Sequence, residues 1–373
     1  MNTIAVAHKD LRLNMTRVLM IGNHPSNKGG MTSVINQIRG HDWSSEGIEL
    51  SFIPTFLPGN PAKKALYFVF AYLRILARCM FKRPDVVHMH MSYKGSFTRK
   101  FYVHKLCKAF KVKDIIHLHG SEFEKWYNEV DEKKKRNIIR LLTESDAFVV
   151  LGEGWRTVVK RIAPDANVAV ISNGIEIPAE TVHWDDDHCR VLFLGVLIPR
   201  KGVSDLIKAI KEIRGKSQLG ILRFIIAGSG EEEEKLRLEV QDASLEDVVS
   251  FAGWVTGDKK NQLIKNCQIL VSPSYNEGLP ISILEAASYG MPIVSTDVGD
   301  ISSVVKDGVN GVLIQPGDIN GLSDGILTTA GRDTFSKMSK ASREIIERSF
   351  SIESFYRKLS KLYHELGEAD GKK

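Results

Sequence analysis

Short apolar, β-branched runs recur along this chain with helix-length stretches between them, and that rhythm leaves few architectures open. RVLMIG (17–22), ELSFIP (49–54), DVVHMHM (85–91), DIIHLHG (114–120), AFVVLG (147–152) and NVAVISNG (167–174) read as strands. Parallel neighbours need crossovers of that length, so the pattern predicts a doubly wound parallel sheet. After the polar stretch PAETVHWDDDHC (178–189) the rhythm restarts with RVLFLG (190–195), LRFIIAG (222–228), VVSFAG (248–253), QILVSPS (268–274), MPIVST (291–296) and GVLIQPG (311–317).

The expectation is therefore an α/β protein with two Rossmann-like domains, residues 1–187 and 188–350, facing a central cleft. A chain of 373 residues is long enough for both cores. Ligands of such sheets bind beyond the carboxyl ends of the strands. Hinges are expected near 178–189 and before the last helix. In IESFYRKLSKLYHEL (352–366), Ile352, Phe355, Tyr356, Leu359, Leu362, Tyr363 and Leu366 share one helical stripe that needs a surface to cover. The final GEADGKK is expected to be disordered.

The charge is unevenly placed. Residues 63–113 hold 13 Lys and Arg against one acid, Asp85. ALYFVFAYLRILARCMF (65–81) is interrupted by Arg74 and Arg78 and is short for a membrane span. TRKFYVHKLCKAFKVK (98–113) carries Arg99, Lys100, Lys105 and Lys108 among apolar residues. Two readings compete: core-packed helices with solvated basic faces, or a surface that meets an anionic inner-membrane leaflet. No nucleic-acid motif accompanies the charge. The scattered Cys79, Cys107, Cys189 and Cys267 offer no zinc spacing and suit a reducing cytoplasm, and no secretory signal is read at the N-terminus.

Candidate site residues cluster at strand ends. Gly29 and Gly30 open a helix after the first strand, where bare backbone N–H groups can approach an anion; a plain turn is the competing reading. His117 and His119 fall on one face at the end of a strand and could donate to a hydroxyl or phosphate. Arg200 and Lys201 stand beside a helix start and could clamp a diphosphate. Gly228-Ser229-Gly230 lacks the third glycine of a dinucleotide fingerprint and precedes four glutamates, so it reads as a structural turn. Glu277 sits in a Gly/Pro-flanked turn before the helix ISILEAASYG, beside Gly278, Leu279 and Pro280. Glu285 lies inside that helix among Ile283, Leu284, Ala286 and Ala287, where an unpaired charge is costly. Hydroxyl acceptors flanking an anion site describe a nucleotide sugar.

With these residues assembled, the chain resembles the retaining glycosyltransferases of family 4, which have the GT-B fold. The matching pieces are KGGM (28–31), HLHG (117–120), SNGIE (172–176), FLGVLIPRKG (193–202), FAGW (251–254), SPSYNEGLPISILEAASYG (272–290) and VVSTDVGDISSVVKDGVNGVL (294–313). With HMSYKGSFTRK (90–100), the wording is similar to bacterial surface-polysaccharide glycosyltransferases. The resemblance implies that Gly29 and Gly30 shape a loop facing donor and acceptor, and that His119 touches the donor sugar or its phosphate. It implies that Lys201, helped by Arg200, neutralises the departing diphosphate. Glu277 would hold sugar hydroxyls, Glu285 the ribose, and Gly278, Leu279 and Pro280 would line the diphosphate. The last helix would return to cover the N-terminal domain. One departure stands out: Val196 occupies the place of the family's usual arginine, and Arg200 is expected to substitute.

The implied reaction moves a sugar from a nucleoside diphosphate, UDP by family frequency, to a lipid-linked saccharide. It proceeds with retention and without a metal or other cofactor, on the cytoplasmic face of the membrane. Asp185, Asp186 and Asp187 read as solvated linker residues rather than metal ligands. Alternatives in the same fold are a nucleotide-sugar 2-epimerase and a catalytically silent partner subunit that binds nucleotide sugar.

Overall fold

The computed structural model describes residues 15–27 and 29–368. Each of the twelve expected segments contains a strand, and the strands sort into two six-stranded sheets. The first sheet comprises β1 (Thr16–Asn23), β2 (Ile48–Phe56), β3 (Val86–Met91), β4 (Lys113–Leu118), β5 (Ala147–Val150) and β6 (Val168–Val170), in the order β2-β1-β3-β4-β5-β6. All its pairings are parallel. Its helices are α1 (Gly30–Gly40), α2 (Pro61–Phe81), α3 (Gly95–Ala109), α4 (Phe123–Glu129), α5 (Glu132–Glu144) and α6 (Glu153–Ile162). Helices on both faces leave β3 with every residue buried, so His88 and His90 are enclosed along with Val86, Val87, Met89 and Met91.

The second sheet comprises β7 (Cys189–Leu194), β8 (Leu222–Ala227), β9 (Val249–Gly253), β10 (Ile269–Ser272), β11 (Ile293–Thr296) and β12 (Gly311–Ile314), in the order β12-β11-β10-β7-β8-β9, again all parallel. Its helices are α7 (Val203–Gly215), α8 (Glu233–Asp242), α9 (Gly257–Lys265), α10 (Ile281–Ser288), α11 (Ile301–Val304), α12 (Ile319–Thr329) and α13 (Arg332–Ser349). The winding reverses between β1 and β3 in the first sheet and between β7 and β10 in the second. Loops leaving adjacent strand ends in opposite directions open a crevice at such a point.

The chain divides into two units, and the division falls at Ser172/Asn173 rather than at 187. The polar stretch 178–189 is not a linker but part of the second unit. There Val182 N–H donates to Tyr289 O at 2.8 Å, and Trp184 packs on Phe335 with ring centroids 5.4 Å apart. Asp185 accepts from the backbone N–H groups of Asp187 and His188 and pairs with Arg190 at 2.8 Å, while Asp186 meets Arg332 at 3.0 Å. Those carboxylates close a turn. The chain leaves the second unit again at Ser354/Phe355, and Ile175 N–H donates to Phe350 O, and Ile352 N–H to Ile175 O, each at 2.9 Å.

The last helix, α14 (Ile352–Glu368), belongs to the first unit from Phe355 onward. Phe355, Leu359 and Tyr363 of the expected stripe are buried there. Tyr356 stacks on His41 at 3.8 Å and donates to Gln37 O at 3.2 Å. His364 bridges Thr16 Oγ1 and Glu46 O. The helix runs on through Gly367 and Glu368 of the segment expected to be disordered; residues 369–373 lie outside the described residues.

Candidate active site

In the second unit the expected site residues gather at the β7/β10 switch point. After β7, Pro199–Lys201 form a 3-10 turn that ends at Gly202 in the left-handed conformation, φ 68°. A Cβ at Gly202 would lie 2.0 Å from Pro273 O, so only glycine lets this turn press against the loop leaving β10. The turn is seated from its other side by Gly228 and Gly230. Added Cβ atoms there would meet Gly195 O at 1.8 Å and Leu197 O at 2.1 Å. Leu197 N–H donates to Ser229 O, and Glu232 N–H to Leu197 O, each at 3.1 Å. The G-S-G is thus structural, as expected, and what it supports is the cationic turn.

Glu277 is 7% exposed, and both cations reach it. Lys201 Nζ hydrogen-bonds Glu277 Oε1, and Arg200 lies 3.7 Å from Oε2 while donating to Asn276 O at 2.7 Å. The carboxylate is pinned through its backbone as well: a Cβ on Gly299 would lie 2.1 Å from Glu277 O, and Asp300 N–H donates to Gly278 O at 2.9 Å. Tyr275 ties the two loops together, its N–H to Arg200 O at 2.8 Å and its hydroxyl to Asp205 Oδ2 at 2.6 Å. Ser274 Oγ and Asn276 Oδ1 are buried here without a hydrogen-bond partner.

Pro280 is the N-cap of α10, with Gly278 and Leu279 just before it, and the first turn contains no acid. The helix therefore presents its unpaired N–H groups and positive dipole end beside the Lys201–Glu277–Arg200 cluster. Glu285, on α10, is met by a residue that sequence reasoning missed: Lys260 Nζ from α9 hydrogen-bonds Oε1. Burial raises the Glu285 carboxyl and Lys260 opposes that rise. Nothing in TGDKKNQLIK marks Lys260, because the pairing spans 25 residues and two elements.

In the first unit Gly29 is the N-cap of α1 with φ 122°, a conformation that L side chains rarely adopt, and Gly30 is the first helical residue. Lys28, the start of KGGM, lies outside the described residues. His119 is partly exposed beyond β4 and does not act alone. His88 and His90 on β3 join His117 and His119 in a stack of imidazoles whose successive centroids are 4.3–5.3 Å apart. Tyr363 Oη lies 2.7 Å from His88 Nδ1, His88 Nε2 lies 3.2 Å from His117 Nδ1, and His90 Nδ1 lies 2.9 Å from His119 Nε2.

Burial, with the His119 imidazole second, drives His88 down to about 3; burial lowers His119 as well, although part of that residue reaches solvent. His90 and His117 fall well below the usual histidine range for the same reasons. The stack is neutral at neutral pH. Its folded-state values lie below the unfolded one near 6.5, so its contribution to stability is complete above that value and is lost as pH falls toward about 3. Each unit of pH in that window costs about 1.4 kcal/mol per histidine. The urea midpoint of the first unit is expected to drop between pH 7 and pH 5, and to drop less in His88→Gln. An unchanged midpoint over that range would refute the burial account.

His88, His90 and His117 bring one nitrogen each to within 4.8 Å of one another, a possible metal donor set. Both His88 nitrogens already hold hydrogen bonds, to Tyr363 and His117, so a metal there would have to break one.

The expected basic surface is only partly a surface. Lys100 is fully buried, its Nζ 3.2 Å from Thr55 Oγ1, and burial lowers its pKa well below the lysine range. Lys108 is occupied by Asp114 and Asp146 at 3.0 and 2.8 Å, and Arg99 is half-buried over the Phe56 ring at 4.8 Å. Lys105, Arg74 and Arg78 are exposed. A basic residue's face on a helix is set by what packs beneath it, which the charge count in 63–113 did not contain.

Two parallel six-stranded sheets give the chain the GT-B fold, and the family models identify it as a glycosyltransferase. Residues 32–177 match the model Glycosyltransferase Family 4, and residues 176–344 match Glycosyl transferases group 1. The chain belongs to glycosyltransferase family 4. It is 24% identical over 299 residues to the amylovoran biosynthesis glycosyltransferase AmsK of Erwinia amylovora, covering 76% of this chain and 72% of that one. It is 25% identical to the UDP-Gal:alpha-D-GlcNAc-diphosphoundecaprenol alpha-1,3-galactosyltransferase of Escherichia coli, over 87% of this chain and 86% of that one. Among solved structures, the sucrose-phosphate synthase of Thermosynechococcus elongatus superposes with a TM-score of 0.81 at 18% identity, covering 95% of this chain and all of that one.

Proposed function

We propose that the protein transfers a glycosyl group, with retention, from a UDP-sugar to a hydroxyl of a lipid-linked saccharide in bacterial polysaccharide biosynthesis, without requiring a metal. The observation that carries the reading is the convergence of Lys201 and Arg200 on buried Glu277 beside the start of α10. The name of the Escherichia coli relative, with its UDP-galactose donor and diphosphoundecaprenol acceptor, supports the substrate classes.

In this mechanism the bond from the anomeric carbon to the diphosphate oxygen breaks as the acceptor oxygen bonds to the same face. The acceptor's proton passes to the departing phosphate oxygen. Negative charge grows on the diphosphate, where Lys201, Arg200 and the N–H groups of Gly278, Leu279 and the α10 start stabilise it electrostatically. Glu277 accepts from sugar hydroxyls and Glu285 from the ribose, with Lys260 holding the Glu285 side chain in place. Arg200 serves in place of the arginine absent at Val196. Gly29, Gly30 and His119 stand at the strand ends of the first sheet, where we place the acceptor. The two-carboxylate scheme of glycosidases is not needed, because Glu285 is assigned to ribose.

A donor screen by mass spectrometry tests this. Purified protein is offered UDP-, GDP- and ADP-sugars, with chelator present, with and without membranes carrying undecaprenyl-diphosphate-linked saccharides. Acceptor-dependent release of UDP is the expected result. Turnover without acceptor would point to an epimerase, and binding without turnover to a silent partner.

A further inference from the structure

The helix α2 is apolar on two opposite faces. Ala71, Ile75 and Cys79 are buried inward, with Phe68, Tyr72 and Leu76 partly buried against the core of the first unit. On the other face Leu66, Val69, Phe70, Leu73, Met80 and Phe81 stand 51–79% exposed. Leu66, Val69, Phe70 and Leu73 neighbour one another at helical spacing, and past the exposed small residue Ala77 the same outward face continues to Met80 and Phe81, a stripe about 23 Å long. Single exposed apolar residues are ordinary, but a stripe of six large ones marks an unfilled contact.

The charges say what fills it. α2 contains no acid, and Lys63, Lys64, Arg74 and Arg78, with Lys82 just past its end, are all exposed. Arg74 and Arg78 fall on one flank of the stripe, so cations line an apolar ridge rather than opposing it. Among the described residues no helix is long and apolar enough to cross a membrane. An apolar stripe edged by cations fits the boundary of an anionic bilayer, with the rings among acyl chains and the long basic side chains reaching back to phosphates.

We propose that α2 lies in the plane of an anionic membrane surface, inserting Leu66, Phe70, Leu73 and Phe81 while Arg74 and Arg78 engage headgroup phosphates. This goes beyond the transfer reaction and stands on the helix face alone. It predicts two separable components of binding, one salt-sensitive and one not, where a purely basic patch would show only the first.

The test is co-sedimentation of the full chain with vesicles of phosphatidylcholine, with or without phosphatidylglycerol, across a salt series. Wild type is expected to bind the phosphatidylglycerol vesicles. Arg74→Gln/Arg78→Gln should weaken this on the order of thirtyfold at low salt. Phe70→Ser/Phe81→Ser should weaken it at least about tenfold and abolish what persists at high salt. Both exposed phenylalanines can be replaced without opening the core, and Phe70→Ser/Phe81→Ser should keep full transfer to a water-soluble acceptor, which separates docking from the proposed chemistry. Equal binding by wild type and Phe70→Ser/Phe81→Ser overturns the proposal. So does a dimer lost in that variant without vesicle binding, which would assign the stripe to a second copy.

Discussion

Lys201→Ala lowers kcat for glycosyl transfer by about a hundred- to a thousandfold, with donor KM changed by less than about tenfold. The reason lies in when the ammonium matters most. Its attraction to the diphosphate exists in the ground state, but grows as the glycosidic bond breaks and charge collects on the leaving oxygen. Only that increment appears in kcat. Glu277→Gln should show the opposite split, raising KM more than it lowers kcat, because a carboxylate that orients hydroxyls binds ground and transition states more evenly. Removing Lys201 also leaves Glu277 with Arg200 alone at 3.7 Å, so each variant's melting temperature belongs beside its kinetics. Equal fractional losses in Lys201→Ala and Arg200→Ala, both confined to KM, would remove Lys201 from the chemistry and leave it a binding residue.

Tyr363→Ala destabilises the first unit by about 3–5 kcal/mol. The side chain is fully buried, its ring meets Trp43 at 5.6 Å and His88 at 5.7 Å, and its hydroxyl partners His88 Nδ1. Deletion empties a large cavity and strands a buried imidazole nitrogen. Tyr363→Phe isolates the second effect, at about 1–3 kcal/mol. With two units in one chain, a single unfolding midpoint would blur the result. Hydrogen exchange resolves it: protection should fall across β1 and β3 and remain unchanged across β7 and β10. A uniform loss across both sheets would mean that α14 stabilises the chain as a whole rather than its own unit.

Much of this architecture was legible beforehand because parallel strands and crossover helices write themselves locally. A buried strand such as AFVV is apolar over its full length, and the helix before the next strand cannot be omitted. The Glu277–Glu285 spacing was legible too, since a Gly/Pro turn and a helix place both residues whatever else the chain does. The linker at 178–189 was misread because its Asp-rich wording describes solvated loops and tight Asx turns equally well. The partition of the basic segment failed for a related reason: Lys100, Lys108 and Arg99 differ in burial only through what α3 packs against.

By itself the sequence determined the elements, their alternation, the two-sheet class, and which residues stand at strand ends. These follow from backbone hydrogen bonding and hydrophobic period, which act over one turn or one strand. Tertiary structure alone decided which polar groups meet. Lys201 finds Glu277 across 76 residues, Lys260 finds Glu285 across 25, and Tyr363 finds His88 across 275. It also decided that one apolar face of α2 covers the core while the other is left bare. Pairing and exposure are properties of a folded surface, set when strands take their order in the sheet, and no local stretch of chain carries that order.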